Sequence, residues 1–359
     1  MDNANSLAGQ ITDLTALPVV EEGEKYYWPI CANEALYNII LNLMPTATAE
    51  NLAQLSDIYN DFDASFSSIP ADIYNRSKLF GQEIAAAVFE YSITDGAHEC
   101  YLYNFPASYI PPTGDYAWVP TPPAYLNALQ PYWGSVRPFV ASNVDDAMAV
   151  PPYAFSTAPG STMYKQALDV YNMVEETTPE MTAIALFWAD DPGTTFTPPG
   201  HAWAIAKQVI DNEDANLGKA ALTYGKLGLA LHDAFVSCWN NKYIFNLIRP
   251  VTYIREYIDA DFNTIVDTPP FPEYTSGHST NMGAFTAVME DLYGKSYAFE
   301  DDSHTGVYPS RYFESFSDAA YEAAISRMYG GIHYKQACVQ GVICGRLVGE
   351  NVNALNWKD

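Results

Sequence analysis

Three short stretches of this 359-residue chain each place a cation or a histidine where a helix begins or ends. In the first, running from His232 to Tyr243, Phe235, Trp239 and Lys242 fall on one helical face, so a cation sits at the rim of an aromatic surface. Arg249-Pro250 follows Lys242 after six intervening residues. A Lys and an Arg this close also suit a solvated surface. However, Tyr243, Ile244, Phe245, Leu247 and Ile248 demand burial, so at least one of the cations is expected to point inward and need an anion.

The second stretch, Phe271 to Thr280, carries Ser276-Gly277-His278 just before a predicted helix from Ser279. A hydroxyl, an approachable backbone N–H and an imidazole at the positive end of a helix dipole make an anion cradle with a proton carrier attached. A plain helix cap has the same residues. In the third stretch, Ser326 to Tyr334, Gly330-Gly331 ends one helix and His333 opens the next, so the turn can bring Arg327 and His333 to one point. Two surface residues flanking a helix break would look alike. The three stretches together carry more weight, because the chain has only 17 Lys+Arg and six His. They point to one site for a tetrahedral or trigonal-bipyramidal oxyanion built from Lys242, Arg249, Ser276, Gly277, His278, Arg327 and His333. The remaining histidines, His98, His201, His232 and His304, are read as packing or surface residues.

The combination K-x6-RP (Lys242, Arg249, Pro250), SGH (Ser276, Gly277, His278) and SR-x5-H (Ser326, Arg327, His333) resembles the three-part signature of vanadium-dependent haloperoxidases and type 2 phosphatidic acid phosphatases. The flanking runs Thr197 to His201, Cys238 to Tyr243, Thr268 to Pro272 and Gly330 to Tyr334 are similar to soluble bacterial haloperoxidases. The likeness spans roughly Thr182 to Asn353. Two positions depart from the pattern. Thr275 stands where the second motif usually has proline, which should only loosen the turn, and Ala337 stands where an Asp usually closes the third. A carboxylate there could orient a ligating imidazole, so its loss weighs against tight vanadate binding and full activity.

The resemblance implies vanadate as cofactor, with phosphate able to occupy the same site. Lys242, Arg249, Arg327, the Ser276 hydroxyl and the Gly277 N–H would hold its equatorial oxygens, and His333 would be the vanadium ligand. His278 would take a proton from hydrogen peroxide, and the metal, as a Lewis acid, would make a peroxide oxygen electrophilic toward a halide, giving hypohalous acid. The alternative is a soluble acid phosphatase, in which His333 attacks phosphorus to give a phosphohistidine and His278 protonates the leaving oxygen. A third reading, prompted by Ala337, is a non-catalytic oxyanion binder. Trp239 and Phe271, expected to line the pocket, favour the haloperoxidase branch, although plain core packing would account for both equally well. The lack of any membrane-spanning segment for a lipid phosphatase favours the same branch.

The elements that must position these residues are helices. Periods near 3.6 predict them over Ala32 to Met44, Ser68 to Glu90, Ser161 to Glu175, Ala202 to Ile210, Asn216 to Asn241, Ser279 to Tyr293, Ser317 to Tyr329 and Tyr334 to Leu355. Leu36, Ile40 and Leu43 are expected to face the core of the first. Between Tyr101 and Gly160, Pro111-Pro112, Pro122-Pro123 and Pro151-Pro152 forbid long helices, and the tyrosines there argue for a wrapping region packed on the body. The fold class is therefore mainly α: a helical bundle of the haloperoxidase/acid phosphatase type with a Pro/Tyr-rich irregular region. It is expected as one domain, with N-terminal helices and wrapping loops over 1–180 and the oxyanion-binding bundle over 181–359.

A formal net charge of -26 argues against nucleic acid and anionic membranes as partners, leaving small molecules: halide and hydrogen peroxide, or a phosphate ester. The five cysteines, Cys31, Cys100, Cys238, Cys338 and Cys344, show no spacing that suits a zinc site. Met1 to Gln10 does not read as a signal peptide, and no apolar run of about 18 residues occurs. The protein is expected to be soluble and exported, periplasmic or secreted, with its leader absent from this sequence; the oligomeric state is left open.

Overall fold

A computed structural model describes residues 5–357; the first four residues, part of the stretch read for a leader, and Lys358 and Asp359 lie outside it. The contacts divide the described chain into two compact units. One holds the residues up to His98 with Asn356 and Trp357, and the other is Glu99–Leu355. The division thus falls at His98 rather than near residue 180. Its cause is that the Pro/Tyr-rich segment is bound to the bundle that follows it. The Asp233 carboxylate accepts the Phe139 and Val140 N–H groups at 2.7 and 2.8 Å, Trp118 N–H reaches the Asn246 carbonyl at 2.8 Å, and Tyr243 Oη donates to the Leu129 carbonyl at 2.7 Å.

The first unit contains α1 (Trp28–Leu43), α2 (Ala49–Ser65) and α3 (Ala71–Ser92). The face of α1 expected in the core is exposed: Leu36 by 60%, Ile40 by 38% and Leu43 by 49%. The opposite face, carrying Ile30, Cys31 and Glu34, is the buried one. It is held there by the close approach of α3, where a Cβ on Gly81 would lie 2.5 Å from the Cys31 carbonyl oxygen.

The second unit begins with irregular chain, broken by 3-10 turns at Cys100–Tyr103 and Trp133–Ser135 and by the single turn α4 (Asn143–Asp146). Then come α5 (Thr162–Glu175), α6 (Pro179–Phe187), α7 (Pro198–Asn212), α8 (Leu217–Phe245) and α9 (Pro250–Tyr257). They are followed by α10 (Gly277–Tyr293), α11 (Phe316–Tyr329) and α12 (Lys335–Asn353). The side chains of Ser161, Thr178, Thr197, Asn216, Ser276 and Ser315 each cap a helix that follows. Helices α2, α6 and α9 lie outside the predicted set: α2 carries Leu52, Leu55 and Tyr59 on one half-buried face, a helical spacing that the sequence reading passed over, and α6 and α9 are too short for a period to register. Among the described residues the sheet is confined to β1 (Phe299–Asp301) and β2 (Arg311–Phe313), an antiparallel pair in which Glu300 faces Tyr312.

Helix α10 is buried along nearly its whole length, enclosed by α8, α11 and α12. Glycines set how closely α12 approaches it: a Cβ on Gly341 would lie 2.9 Å from the Ser276 carbonyl oxygen, and one on Gly345 would lie 2.0 Å from that of Thr280. The backbones therefore touch directly. This contact fixes the start of α10, where Ser276 N–H donates to the Ala337 carbonyl at 3.2 Å. Among the described residues no helix is long and apolar enough to cross a membrane, and all five cysteines are free.

Candidate oxyanion site

Three connections bring the motif residues together. Lys242 lies in the last turn of α8, which Asn246 ends in the left-handed conformation at φ 47°, and the chain then turns so that Arg249 caps α9 with Pro250 at its first position. Ser276 caps α10 and holds Gly277 and His278 in its first turn. Arg327 lies in the last turn of α11, and its carbonyl accepts the Ile332 and His333 N–H groups at 3.1 and 3.3 Å across Gly330-Gly331. Gly331, at φ 81°, takes a backbone conformation that side chains disfavour.

Both cations of the first motif point inward. Lys242 and Arg249 are fully buried, and Arg327 is 3% exposed. Lys242 Nζ donates to the Pro272 and Glu273 carbonyls at 2.9 and 3.1 Å. Arg249 donates to the carbonyls of Phe271 at 2.9 Å and Ile332 at 2.8 Å, and Arg327 donates to that of Trp188. None of the three forms an ion pair with a carboxylate among the described residues, and Arg327 Nε has no hydrogen-bond partner. Burial accordingly pushes Lys242 down to about 7 and both guanidinium groups down to about 10. Buried cations without counter-charge are costly, and a multiply charged anion would remove that cost for all three at once.

The donors beside them suit the same guest. Ser276 Oγ accepts from Ser279 N–H at 3.3 Å and Ser279 Oγ at 2.9 Å, so the plain cap is present, and its own O–H has no acceptor among the described residues. Gly277 is not crowded: a Cβ there would make only ordinary contact, 3.9 Å, with Phe235 and Trp239. Phe271 lies beneath Lys242 Nζ and Arg249 Cζ, 4.9 and 5.1 Å from its ring centre, and packs on Trp239 at 4.9 Å. Thr275, buried, does more than loosen the turn, since its hydroxyl lies 3.6 Å from Cys238 Sγ.

Arg249 and Glu273 define the state of His333. Arg249 Nη1 lies 3.2 Å from His333 Nε2 and can only donate, so Nε2 is the unprotonated nitrogen, and Nδ1–H donates to Glu273 Oε1 at 2.9 Å. The same oxygen accepts Tyr334 N–H at 2.8 Å. Burial, then Arg249, Lys242 and Arg327, hold the imidazole well below its ordinary range, so it is neutral with a lone pair toward the cations. Glu273 supplies the carboxylate whose absence at Ala337 weighed against tight binding, and burial raises it to about 7 despite the cations nearby.

His278 keeps a 14% exposed edge, and its Nε2 lies 3.2 Å from Asp190 Oδ2 without hydrogen-bond alignment. Burial and Arg327 push it down to about 4. Behind it lies a network that the reading of His201 and His304 as packing or surface residues misses. His201 is wedged between Asp190 at 2.9 Å and Asp301 at 2.8 Å, and His304 Nε2 lies 3.6 Å from Asp190. Burial alone would lower His201, but the two carboxylates outweigh it and raise it to about 9, so it is an imidazolium. Donors of Asp190, His201 and His304 lie within 4.8 Å of one another, as cation ligands would, but two carboxylates repel an oxyanion, so this is not its seat. Sequence reasoning also passed over Glu273, although it stands inside the second motif stretch. Asp190 and Asp301 offered no spacing to find them by, because they meet His201 only in the fold.

The family description "VCPO second helical-bundle domain" fits residues 223–357, a span that contains all seven expected site residues. Vanadium chloroperoxidase from Curvularia inaequalis is 23% identical over 74% of this chain, and the match spans 57% of that relative's length. Among solved structures, a bacterial vanadium-dependent iodoperoxidase superposes with a TM-score of 0.88 at 35% identity, covering 100% of this chain and 86% of the other. A holo-type bacterial vanadium-dependent chloroperoxidase superposes with a TM-score of 0.69 at 14% identity over 90% of this chain and 80% of its own, a likeness of fold alone.

Proposed function

The chain belongs to the vanadium-dependent haloperoxidases, and on that premise we propose that it oxidises iodide with hydrogen peroxide to hypoiodous acid at a vanadate held in the cation cradle. The choice of iodide rests on the likeness to the bacterial iodoperoxidase. The observation that carries the reading is the trio of buried, unpaired cations beside a neutral His333 whose Nε2 lone pair faces them. Lys242, Arg249, Arg327, the Ser276 hydroxyl and the Gly277 N–H would hold the vanadate oxygens, and His333 Nε2 would be the vanadium ligand. Vanadate so bound supplies a Lewis acid that makes a peroxide oxygen electrophilic toward halide.

The protein's own residues bind and move protons. Glu273 keeps the proton of His333 on Nδ1 and so keeps Nε2 available. His278, held neutral beside the Asp190 carboxylate, keeps an unprotonated ring nitrogen that can take a proton from hydrogen peroxide. Trp239 and Phe271 keep water from the cations and strengthen their field on the guest.

Phosphomonoester hydrolysis through His333 would use the same site, but the relatives that match are haloperoxidases, which does not favour it. The non-catalytic reading rested on Ala337 and loses its motive once Glu273 supports His333. The test is triiodide formation from iodide and peroxide, with and without added vanadate, beside release of a chromogenic phosphate ester. Vanadate-dependent triiodide supports the proposal. Ester cleavage without it, or neither activity, overturns it.

A further inference from the structure

Behind His278, three segments distant in the sequence meet. The connection from α6 to α7 supplies Asp190, α7 supplies His201, and the turn between β1 and β2 supplies His304. All three side chains are buried, and their donor atoms lie within 4.8 Å of one another. His304 is the member that the protein leaves unsatisfied: it is 3% exposed, and neither of its ring nitrogens has a hydrogen-bond partner. Its Nε2 stands 3.6 Å from Asp190 Oδ1, beyond hydrogen-bond distance. A buried imidazole without partners is costly, and a cation bound by one of its nitrogens would reduce that cost.

The separations are those of ligands around one ion. His201 Nδ1 lies 2.9 Å from Asp190 Oδ1, and His304 Nε2 lies 3.6 Å from the same oxygen. Donors so separated, each about 2.1 Å from a shared cation, subtend about 90° and about 120° at it, as in distorted four- and five-coordinate sites. The other nitrogen of His201 faces Asp301 Oδ2 at 2.8 Å, and a carboxylate on the far nitrogen is what fixes the tautomer and ring orientation of a ligating histidine. The His201 ring packs on Trp188 at 4.6 Å and the His304 ring on Phe187 at 4.8 Å, so both imidazoles are held in place beforehand. In the cation-free protein one proton on His201 stands between two buried carboxylates, whereas a divalent cation would offset both. Arg327, which also feels Asp190, donates to the Trp188 carbonyl and forms an ion pair with neither carboxylate.

We propose that Asp190, His201 and His304 bind one divalent first-row transition cation, zinc foremost, with Asp301 supporting His201 from behind. Two imidazoles and a carboxylate suit zinc and its neighbours, whereas magnesium and calcium favour oxygen donors alone. On binding, the proton that His201 holds toward Asp190 leaves to solvent, and Nδ1 gives its lone pair to the ion. The ion ties the β1–β2 turn to the connection between α6 and α7, and so pins Asp190, whose other oxygen lies 3.2 Å from His278 Nε2. Its ligands include none of the cradle residues, and the three buried cations of the cradle repel such an ion. The site therefore stands whether or not the cradle oxidises halide.

The test is calorimetric titration of the whole chain with zinc chloride, with no vanadate, iodide or peroxide present. One zinc per chain is expected to bind tightly and to raise Tm. His304→Ala is expected to lose that zinc and the rise in Tm, and Asp301→Asn to weaken binding by about 10–100-fold. Magnesium and calcium chloride at the same concentration should not displace the zinc. A chain with 43 Asp and Glu also offers surface carboxylates, but His304 is buried, so zinc held at the surface would be indifferent to its loss. Cobalt(II) gives a readout on the unaltered chain that does not depend on how the variants fold. Intense visible bands, those of a four- or five-coordinate site with nitrogen and oxygen ligands, support the proposal. The pale spectrum of six-coordinate cobalt in water overturns it. Absence of tight zinc binding, binding undiminished in a folded His304→Ala, or displacement by calcium overturns it as well.

Discussion

His333 gives its Nδ1–H to Glu273 Oε1 at 2.9 Å, so the carboxylate behind this imidazole comes from the segment that leads into α10 and not from the residue four places after the histidine. Glu273→Ala is expected to weaken vanadate binding by about 10–100-fold, the usual cost of losing such a support. Ala337→Asp alone should bring no gain, since His333 Nδ1 is already occupied and Ala337 is fully buried, which leaves a new carboxylate unpaired. Vanadate titration followed by calorimetry checks both. Tighter binding in Ala337→Asp would show that Glu273 does not fill the role.

His333→Ala should abolish vanadate-dependent iodide oxidation. His278→Ala should slow it by about 10²–10⁴-fold while oxyanion affinity changes much less, because a proton carrier acts on the reaction more than on binding. Steady-state rates and the affinity for sulfate, measured side by side, separate the two effects. Full turnover in His333→Ala contradicts the ligand assignment.

Oxyanion affinity should depend on pH through Lys242. With no anion bound, burial holds it at about 7, and an anion favours its charged form. Affinity is therefore highest below pH 7 and falls as pH rises, by at most about tenfold per unit for each linked proton. Glu273, raised to about 7, ionises over the same window and acts in the same direction. Sulfate, which does not titrate there, is the suitable probe: binding at pH 8 should take up protons from buffer, and a flat profile from pH 6 to 9 contradicts the burial of an unpaired lysine.

The network behind His278 should make stability depend on pH in the opposite sense at each end. His201 is raised above its ordinary 6.5 to about 9, so its contribution is complete below about 6.5 and is lost as pH rises through 9. Asp190 and Asp301 are lowered, so theirs is complete above the ordinary carboxylate range and is lost as pH falls through the depressed values. Wild-type Tm should drop more between pH 7 and 9 than that of His201→Gln. Parallel curves would mean that His201 is not charged in the folded protein.

Gly345→Ala should destabilise the protein by more than the roughly 1–3 kcal/mol of ordinary overpacking, because the new Cβ would lie 2.0 Å from a backbone oxygen that cannot rotate away. The same shift of α12 against α10 should weaken sulfate binding, since Ser276 N–H is tied to α12 through Ala337. Thermal unfolding and sulfate titration of the variant check both, and a stable variant with unchanged affinity would show that the two helices do not need to touch.

How much was legible follows the range of each interaction. The mainly helical fold could be read because a helix is a local object: caps such as Ser276 and Asn216 and the spacing of apolar residues act within a few positions of the chain. The seven candidate site positions could be named because each motif is short and its residue types are scarce in this acidic chain. Which face of α1 is buried could not be read, because Leu36, Ile40 and Leu43 form a sound apolar stripe that the approach of α3 leaves outside.

The sequence by itself determined the local elements and the residue types of the cradle. Only the tertiary structure decided that Lys242 and Arg249 are both buried without counter-charge, that Glu273 supports His333, and that Asp190 and Asp301 enclose His201. The physical reason is that burial and ion pairing join residues 60 and 100 positions apart, where no periodicity in the chain records the contact.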